Sequence, residues 1–365
     1  MDNVTHSLFA LTLGRTRIGQ AGRDTTAALL IASNIPDIDI VMAAQGGASY
    51  LQWHRGPTHG SLAIVALGVP AAALAWLWIW FQEWRAGKPL ERAAPFPMLV
   101  AVSMIGVVFH LMMDFPTSYG TRLLSPFDWH WFSVDWMPII DIYLIAILVV
   151  GLLTAGRSAE ARQRAALMVF AFMLANYGVR AALHHQAVAL APRIFGPLPD
   201  TCDPVALPAF APESWPRERT GVSGRRSPCL VSVSAMPTFV WPTTWRVITQ
   251  LSNGYEIHDL DLIDATFRSG SSSKTPRVRL YFPNEWTLQT TMASETRLGQ
   301  IYLSFSRFPA ARPSVDSTGT STVRWSDMRF VGGPLRLDAR QQRDAFSAVI
   351  RIDSGGRVIE ERFGP

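Results

Sequence analysis

The stretch from Gly60 to Gln82 carries no formal charge, and no other feature constrains the fold as strongly. A bilayer hydrocarbon core of ~30 Å needs about 20 apolar residues in a helix, and this run supplies them. Its C-terminal end is rich in tryptophan (Trp76, Trp78, Trp80 and Trp84), as expected of an interfacial belt. Further apolar segments run over Val4–Gly14, Thr25–Ile40, Pro95–Phe115, Met137–Thr154 and Ala165–Val179. Only 17% of the chain is charged, against about a quarter in globular proteins, so a membrane-embedded part is expected.

The apolar blocks end near residue 190, beyond which Pro, Ser, Thr and Arg dominate. The expected fold is mainly α: a polytopic helical membrane domain over 1–190, then a small, mostly antiparallel β domain. A Pro-rich linker over 191–236 separates that membrane domain from a soluble β domain over 237–365. Trp245–Leu251, the turn Ser252-Asn253-Gly254 and Tyr255–Leu262 read as a hairpin. Arg277–Phe282, Ile301–Phe305, Thr322–Phe330, Ala345–Ile352 and Arg357–Phe363 read as further strands. His258 stands alone there, and the sequence names no protein partner for this part.

Lysine and arginine set the orientation. The basic connections are Arg15–Arg23, Arg85–Arg92 and Arg157–Arg164. Placing all of them in the cytoplasm makes the helices alternate, with six passes and the C-terminal part outside. The first helix is short and enters only partly. This scheme, built from Lys and Arg alone, brings His6, Asp37, Asp39, His54, His59, His110 and Asp114 toward one outer side. Asp37 and His110 each lie ~20 Å up their helices from a basic turn, at 1.5 Å per residue. The net charge of +5 is absorbed by this topology, and no basic cluster interleaved with aromatics points to nucleic acid. The N-terminus lacks the pattern of a cleaved signal peptide. Cys202 and Cys229 both fall in the soluble part; spacing leaves a disulfide and two free thiols equally open.

The candidate chemistry lies at that outer side. His110 and Asp114 are spaced i, i+4 and share a helix face one turn apart. An ionisable pair in an apolar helix costs several kcal/mol unless it is paired or metal-bound. Metal ligation is the favoured reading; a His–Asp hydrogen bond locking helices is the plainer one. Asp37 and Asp39 follow Pro36, which favours a turn on which both carboxylates converge as ligands; otherwise they cap the next element. His54 and His59 flank a tight Gly-Pro turn, so one or both should ligate through neutral imidazole, while Thr58 could cap the following helix. Arg55 reads either as an anion clamp or as a headgroup anchor. His6 matches the others in depth and side. Asn34, Asp128 and Asp141 are placed behind the ligands, orienting them. His130 falls in the same outer loop, Asp135 reads as a helix cap, and His184 and His185 read as interfacial.

The ordered set Asp2-x-x-Thr5-His6, Asn34-x-Pro36-Asp37-x-Asp39, His54-Arg55-Gly56-x-Thr58-His59, His110-x-x-x-Asp114 and Tyr119-Gly120 resembles the YdjM-like inner-membrane metal-dependent hydrolases. Ser125-Pro126-Phe127, Asp141 and Pro242-x-x-Trp245-Arg246-Val247 fit the same resemblance. Gly60 departs from it, since serine is more usual after the second histidine of the central motif. More remotely, the layout is similar to zinc-dependent phospholipase C and its nuclease relatives, though no second helical pair such as His-x-x-x-Glu follows. The resemblance implies a multi-pass protein of the bacterial inner membrane with a metal-dependent hydrolase domain.

Two functions follow as expectations. The first is a metallohydrolase holding one or more divalent ions, zinc foremost, and attacking a phosphodiester or ester of a membrane lipid or lipid-linked substrate. His59, His110, Asp114 and Asp37 are its first-choice ligands, followed by His6, His54 and Asp39, with Asp37 or Asp39 as general base. The second is a non-enzymatic membrane protein whose His/Asp cluster is an ion relay or a structural metal site. Ionisable groups gathered at one side argue against a relay across the bilayer.

Overall fold

The computed structural model describes residues 1–89, 93–202, 228–267, 280–331 and 346–364. Arg92, Arg277 and Ala345 lie outside the described residues, as does the middle of the expected linker. The chain divides into two compact units, Met1–Met42 with Trp53–Ala182, and Ala43–Gln52 with Leu183–Pro365.

The first unit is a helical bundle. Helix α1 spans Asn3–Leu13 and α2 spans Thr25–Ala32. Pro36 cannot donate to a helix ladder, and the chain passes into 3₁₀ geometry over Ile35–Gln45. The short helix α3, Gly47–Trp53, follows in sequence and falls almost wholly in the second unit. Helices α4 (Ala63–Ala86), α5 (Phe96–Asp114), α6 (Ile142–Thr154) and the greater part of α7 (Ala159–Ala189) complete the bundle; the end of α7 and the short α8 (Ala191–Phe195) belong to the second unit. Among the described residues, four segments are long and apolar enough to cross a membrane: Thr25–Gln45, Ala63–Ala86, Phe96–Asp114 and Ala159–Phe195. The six-pass scheme therefore loses two members, because α1 and α6 hold 11 and 13 residues. At 1.5 Å per residue each falls short of the ~30 Å hydrocarbon core.

Helix α4 turns a stripe of small residues (Ala71, Ala72, Ala75) inward, while Leu74, Leu77, Trp78 and Trp80 stay exposed. Small residues let helices approach closely where lipid removes the hydrophobic drive between them. Phe9, Leu13, Leu29, Leu99, Met113, Leu144 and Leu148 form the core shared by α1, α2, α5 and α6. The basic turns gather at one end of the bundle: Arg15 donates to the Gly151 carbonyl (3.3 Å), and Arg23 donates to Gln82 (3.3 Å). At the other end lie the start of α1, the end of α2, the start of α4 and the end of α5. This is the sidedness that the Lys/Arg pattern implies.

The second unit carries two four-stranded antiparallel sheets. The first has strands β1 (Leu230–Pro237), β2 (Thr244–Leu251), β3 (Gly254–Asp261) and β4 (Leu280–Pro283) in that order. The second runs β5 (Pro309–Val315), β6 (Ser321–Asp327), β7 (Ser347–Ile352) and β8 (Val358–Phe363). Helix α9 (Leu262–Phe267) follows β3 within the first sheet, and α10 (Leu288–Ser294) and α11 (Arg297–Phe305) lie between β4 and β5, joining the sheets. Met236, Ile248, Tyr255, Phe308 and Met328 pack between the sheets, and Tyr255 donates to the Pro309 carbonyl at 2.9 Å. Cys202 and Cys229 form a disulfide.

Three local expectations change. Ile301–Phe305 is helical, not extended. Leu298, Ile301, Tyr302 and Phe305 repeat at i, i+3, i+4, i+7 and are all buried, and Thr296 caps the first turn through Gly299 N. Strand β1 lies inside the stretch read as linker. Strand β5 was hidden by Pro309 and Pro313, which are tolerated because β5 is a sheet edge.

Asp141 was expected to orient a ligand histidine. Instead it caps α6 by accepting from Leu144 N (2.8 Å) and binds Arg180 of α7 at 2.6 Å, both side chains fully buried. Removing one partner of such a pair strands a buried charge at a cost of ~3–5 kcal/mol. We expect Asp141→Ala to lower stability by about that amount in detergent unfolding, and the double change with Arg180→Ala to recover part of the loss.

Candidate metal centre

Asp2 opens α1. Its carboxylate accepts from Thr5 N (3.0 Å) and from Thr5 Oγ1 (2.6 Å), which accounts for the Asp-x-x-Thr spacing and fixes His6 in the first turn. The His6 ring lies buried and stacks on His110 at 3.9 Å between centroids. Its Nε2 is 3.4 Å from Asp114 Oδ1.

His110 and Asp114 sit one turn apart at the end of α5, both buried. His110 Nδ1 lies 2.8 Å from the carbonyl of Ser33, an atom that only accepts. The proton is therefore on Nδ1, and the Nε2 lone pair faces inward. His59, in the 3₁₀ turn Pro57–His59, is set the same way. Thr58 Oγ1 gives its single proton to Asp39 Oδ2 (2.8 Å), so it accepts from His59 Nδ1 at 3.0 Å. The Nε2 atoms of His59 and His110 then face each other at 3.1 Å. Asp114 Oδ2 lies 3.2 Å from His59 Nε2 and 3.4 Å from His110 Nε2. Asp37 Oδ1 lies 3.4 Å from His59 Nε2 and 3.7 Å from His110 Nε2.

One ligand atom from each of Asp37, His59, His110 and Asp114 falls within 4.8 Å of the other three. All four are acceptors. A single proton on His59 Nε2 would serve one of these contacts; a divalent cation serves every one. Asp114 Oδ2 and Asp37 Oδ2 are buried and have no hydrogen-bond partner among the described residues. This donor set, two imidazoles and two carboxylates, fits a divalent metal.

The structure gives other expected site residues different work. Asp39 is a hub under the 54–59 turn. Its Oδ1 pairs with His54 Nδ1 (2.8 Å), and its Oδ2 accepts from Arg55 N (2.8 Å) and Thr58 Oγ1. Both its oxygens are used, so it supports His59 and lies outside the four-ligand set. His54 is likewise drawn to Asp39, 6.2 Å from the His59 ring centroid to centroid. Burial holds the His54 imidazole below its ordinary pKa, although the Asp39 hydrogen bond pulls the other way.

Arg55 is buried and turns its guanidinium to protein partners instead of to the surface. Its Nη2 donates to Asp114 Oδ1 (3.2 Å), its Nη1 to the Gly120 carbonyl (3.1 Å), and its guanidinium lies 5.0 Å from the Tyr119 ring centre. It positions Asp114 and the 117–120 turn. Thr58 spends its hydroxyl on Asp39 rather than on a cap. Asn34 bridges Leu30 and Ser7, holding α1 against the end of α2. Asp128 accepts from His130 N within an exposed turn, and the His130 ring meets Phe132 edge-on. Asp135 accepts from Ser133 in the loop; the cap of α6 is Asp141. His184 packs on Trp245.

The irregular 116–141 segment closes the site from outside α5. Arg122 N donates to the Arg55 carbonyl (3.0 Å). Its buried guanidinium sits 4.9 Å from the Trp129 ring and 4.8 Å from the Trp131 ring. Burial pushes its pKa down to about 10, so it remains a cation at neutral pH. Two glycines permit this packing. Gly120 has φ +82°, and a Cβ there would meet Trp131 Nε1 at 2.4 Å. A Cβ on Gly60 would stand 2.2 Å from the Ser125 carbonyl oxygen, which is the physical reason no serine occupies that position.

Sequence reasoning missed the Ser33 carbonyl, the group that selects the His110 tautomer. A main-chain oxygen leaves no residue signature; only its position at the end of α2, just before Pro36, hints at an unspent carbonyl.

Comparison with known proteins bears on the helical part. The family described as YdjM inner membrane protein matches residues 1–187. The protein from Bacillus subtilis (strain 168) titled Uncharacterized protein YfhP is 27% identical over 168 residues, 43% of this chain. The alignment covers 48% of that protein, so the chain spans about half the length of the curated relative it matches. No solved structure matches.

The support role of Asp39 is separable from ligation. Groups that orient a metal-binding histidine typically contribute 10–100-fold to affinity. Asp39→Ala should weaken metal binding by about that factor in a competition titration and still leave a measurable site, whereas a loss as complete as that of a ligand variant would make Asp39 a ligand.

Proposed function

The chain belongs to the YdjM inner membrane protein family, and we propose that its helical unit is a metal-dependent hydrolase acting on a phosphodiester or ester of a membrane lipid or lipid-linked substrate. One observation carries this reading: the Nε2 lone pairs of His59 and His110 meet Asp37 Oδ1 and Asp114 Oδ2, and none of these four atoms is a donor.

Asp37, His59, His110 and Asp114 would hold the ion. When bound, a divalent cation, zinc by its affinity for mixed nitrogen and oxygen donors, acidifies a neighbouring water and polarises the scissile group. The chain supplies the rest. Asp37 directs Oδ1 at the cluster and keeps Oδ2 without a hydrogen bond, so Oδ2 is the oxygen free to take the proton of the attacking water. Asp37 is also the most open of the four, its side chain 13% exposed while those of the other three are at 0%. Arg55 and Asp39 hold Asp114 and His59 in place, so little reorganisation accompanies the reaction. Ile38, Ile40 and Val41, all exposed beside Asp37, offer an apolar approach suited to an acyl chain. His6, stacked on His110 against Asp114 Oδ1, supports a role beside the ion.

A second reading is a structural metal site without turnover. It is favoured by the four-donor set itself, since closed four-ligand sites are commonly structural and catalytic ones keep a position open. Orientation belongs to the proposal as well. The basic turns at the opposite end of the bundle and the Cys202–Cys229 disulfide, which persists in oxidising compartments, support a periplasmic site and C-terminal part.

Purified wild-type protein should carry about one equivalent of metal, and His110→Ala and His59→Ala should lose it on elemental analysis. Asp37→Asn should keep much of the metal and lose ~10²–10⁴-fold in hydrolysis of a lipid phosphodiester and ester panel. Metal-free wild type would sink both readings. Stoichiometric metal with no activity on the panel would favour the structural one.

After mild reduction of whole cells expressing the chain, a membrane-impermeant maleimide should label Cys202 and Cys229. Labelling only after permeabilisation would reverse the orientation.

A further inference from the structure

The first β-sheet has two chemically different ends. The pairings Pro237↔Trp245 and Thr244↔Asp261 place the β1–β2 turn and the start of α9 together at one end. The pairings Leu251↔Gly254 and Gly254↔Pro283 place the turn Ser252-Asn253 at the other. The first end exposes Phe239, Val240, Trp241 and Ile263, with Trp241 at 64% of its surface. These side chains are presented by an ordered loop. Thr238 Oγ1 donates to the Trp241 carbonyl (2.9 Å), Thr244 N donates to the same carbonyl (3.1 Å), and Trp245 Nε1 donates to the Pro242 carbonyl (3.0 Å).

The helix that enters this unit packs along the sheet. The His184 ring lies 5.7 Å from Trp245, at the aromatic end of the sheet. The chain then runs along the sheet, with Ala187, Ala191 and Phe195 packed on Val247, Leu260 and Leu262. It arrives at the opposite end, where Thr201 bridges Leu230. Residues before His184 belong to the same helix, α7. Those residues include the uncharged run Ala165–Val179 of a membrane-spanning segment. Val179 precedes His184 by five residues, ~8 Å along this helix.

We propose that the Phe239-Val240-Trp241 turn, with Ile263 beside it, is an interfacial anchor that seats the first sheet on the bilayer surface. Tryptophan is enriched at membrane interfaces because its ring is apolar and its N–H wet. Asp261, which accepts from Ile263 N, and Asp264 lie at the same end, which confines the insertion to the headgroup region. The opposite end carries polar Ser252 and Asn253 and faces water. The proposal needs neither a metal nor an activity.

The test uses the full chain reconstituted in vesicles of phosphatidylethanolamine and phosphatidylglycerol. The native cysteines are paired, so a single Val240→Cys or Asn253→Cys thiol takes an environment-sensitive nitrobenzoxadiazole label. At position 240 the emission should be blue-shifted, and spin-labelled lipid should quench it about threefold more than at position 253, where aqueous iodide should dominate. Iodide quenching at 240 equal to that at 253, with no effect of spin-labelled lipid, would overturn the anchor. So would shielding of the 240 label from both quenchers, because a protein partner or a second copy would then cover the turn. Retention of the Cys202–Cys229 disulfide on non-reducing gels checks that each labelled chain is folded.

Discussion

Four acceptor atoms held within 4.8 Å of one another repel unless a positive charge sits among them, and the helical unit is arranged to hold four such atoms. The arrangement is enforced from behind. The Ser33 carbonyl fixes the tautomer of His110, and Asp39 together with Thr58 fixes that of His59. Arg55 takes the remaining oxygen of Asp114, to which the Met1 amino group also lies close. In a low-dielectric setting, unsatisfied acceptors of this kind are costly, so their persistence is a statement about what the site binds. Helix termini supply every ligand, which places the cluster at one end of the bundle and leaves the basic turns at the other.

The loop that covers the site has almost no regular structure, and side-chain contacts hold it instead. Arg122 between Trp129 and Trp131 replaces the hydrogen-bond ladder of a helix or strand with cation–π contacts, and its amide ties the loop to Arg55. Glycines at 60 and 120 let backbones approach where any side chain would collide. The Arg180–Asp141 pair fastens α6 to α7 in the same spirit, with a buried charge serving position rather than chemistry.

Much of this was legible in the residues, and the failures share a cause. The i, i+4 spacing of His110 and Asp114 requires a common face, and the basic turns imply a common side, so the sequence alone already gathers Asp37, His59, His110 and Asp114 toward one another. Asp37 ranks above Asp39 among the expected ligands, but spacing and side alone do not separate the two. They differ only in which carboxylate the 54–59 turn folds over, and that is a tertiary fact. Asp141 and Arg55 were misplaced for a related reason: the partner of a buried charge lies far along the chain, 39 and 59 residues away. In the β part, Ile301–Phe305 is too short a window to separate a period of 2 from one of 3.6. The decisive positions include Leu298 and the cap at Thr296, just outside it. Strand β5 carries two prolines that a central strand would exclude and an edge strand accepts.

The central claim is that the facing nitrogens of His59 and His110 and the carboxylates of Asp37 and Asp114 share one cation. X-ray absorption at the zinc edge on the detergent-purified chain addresses it most directly. The account predicts about two imidazole nitrogens and two carboxylate oxygens at roughly 2.0–2.2 Å, with the outer-ring scattering of histidine. A chain that folds without metal, or a metal whose shell contains sulfur or lacks histidine, would contradict it.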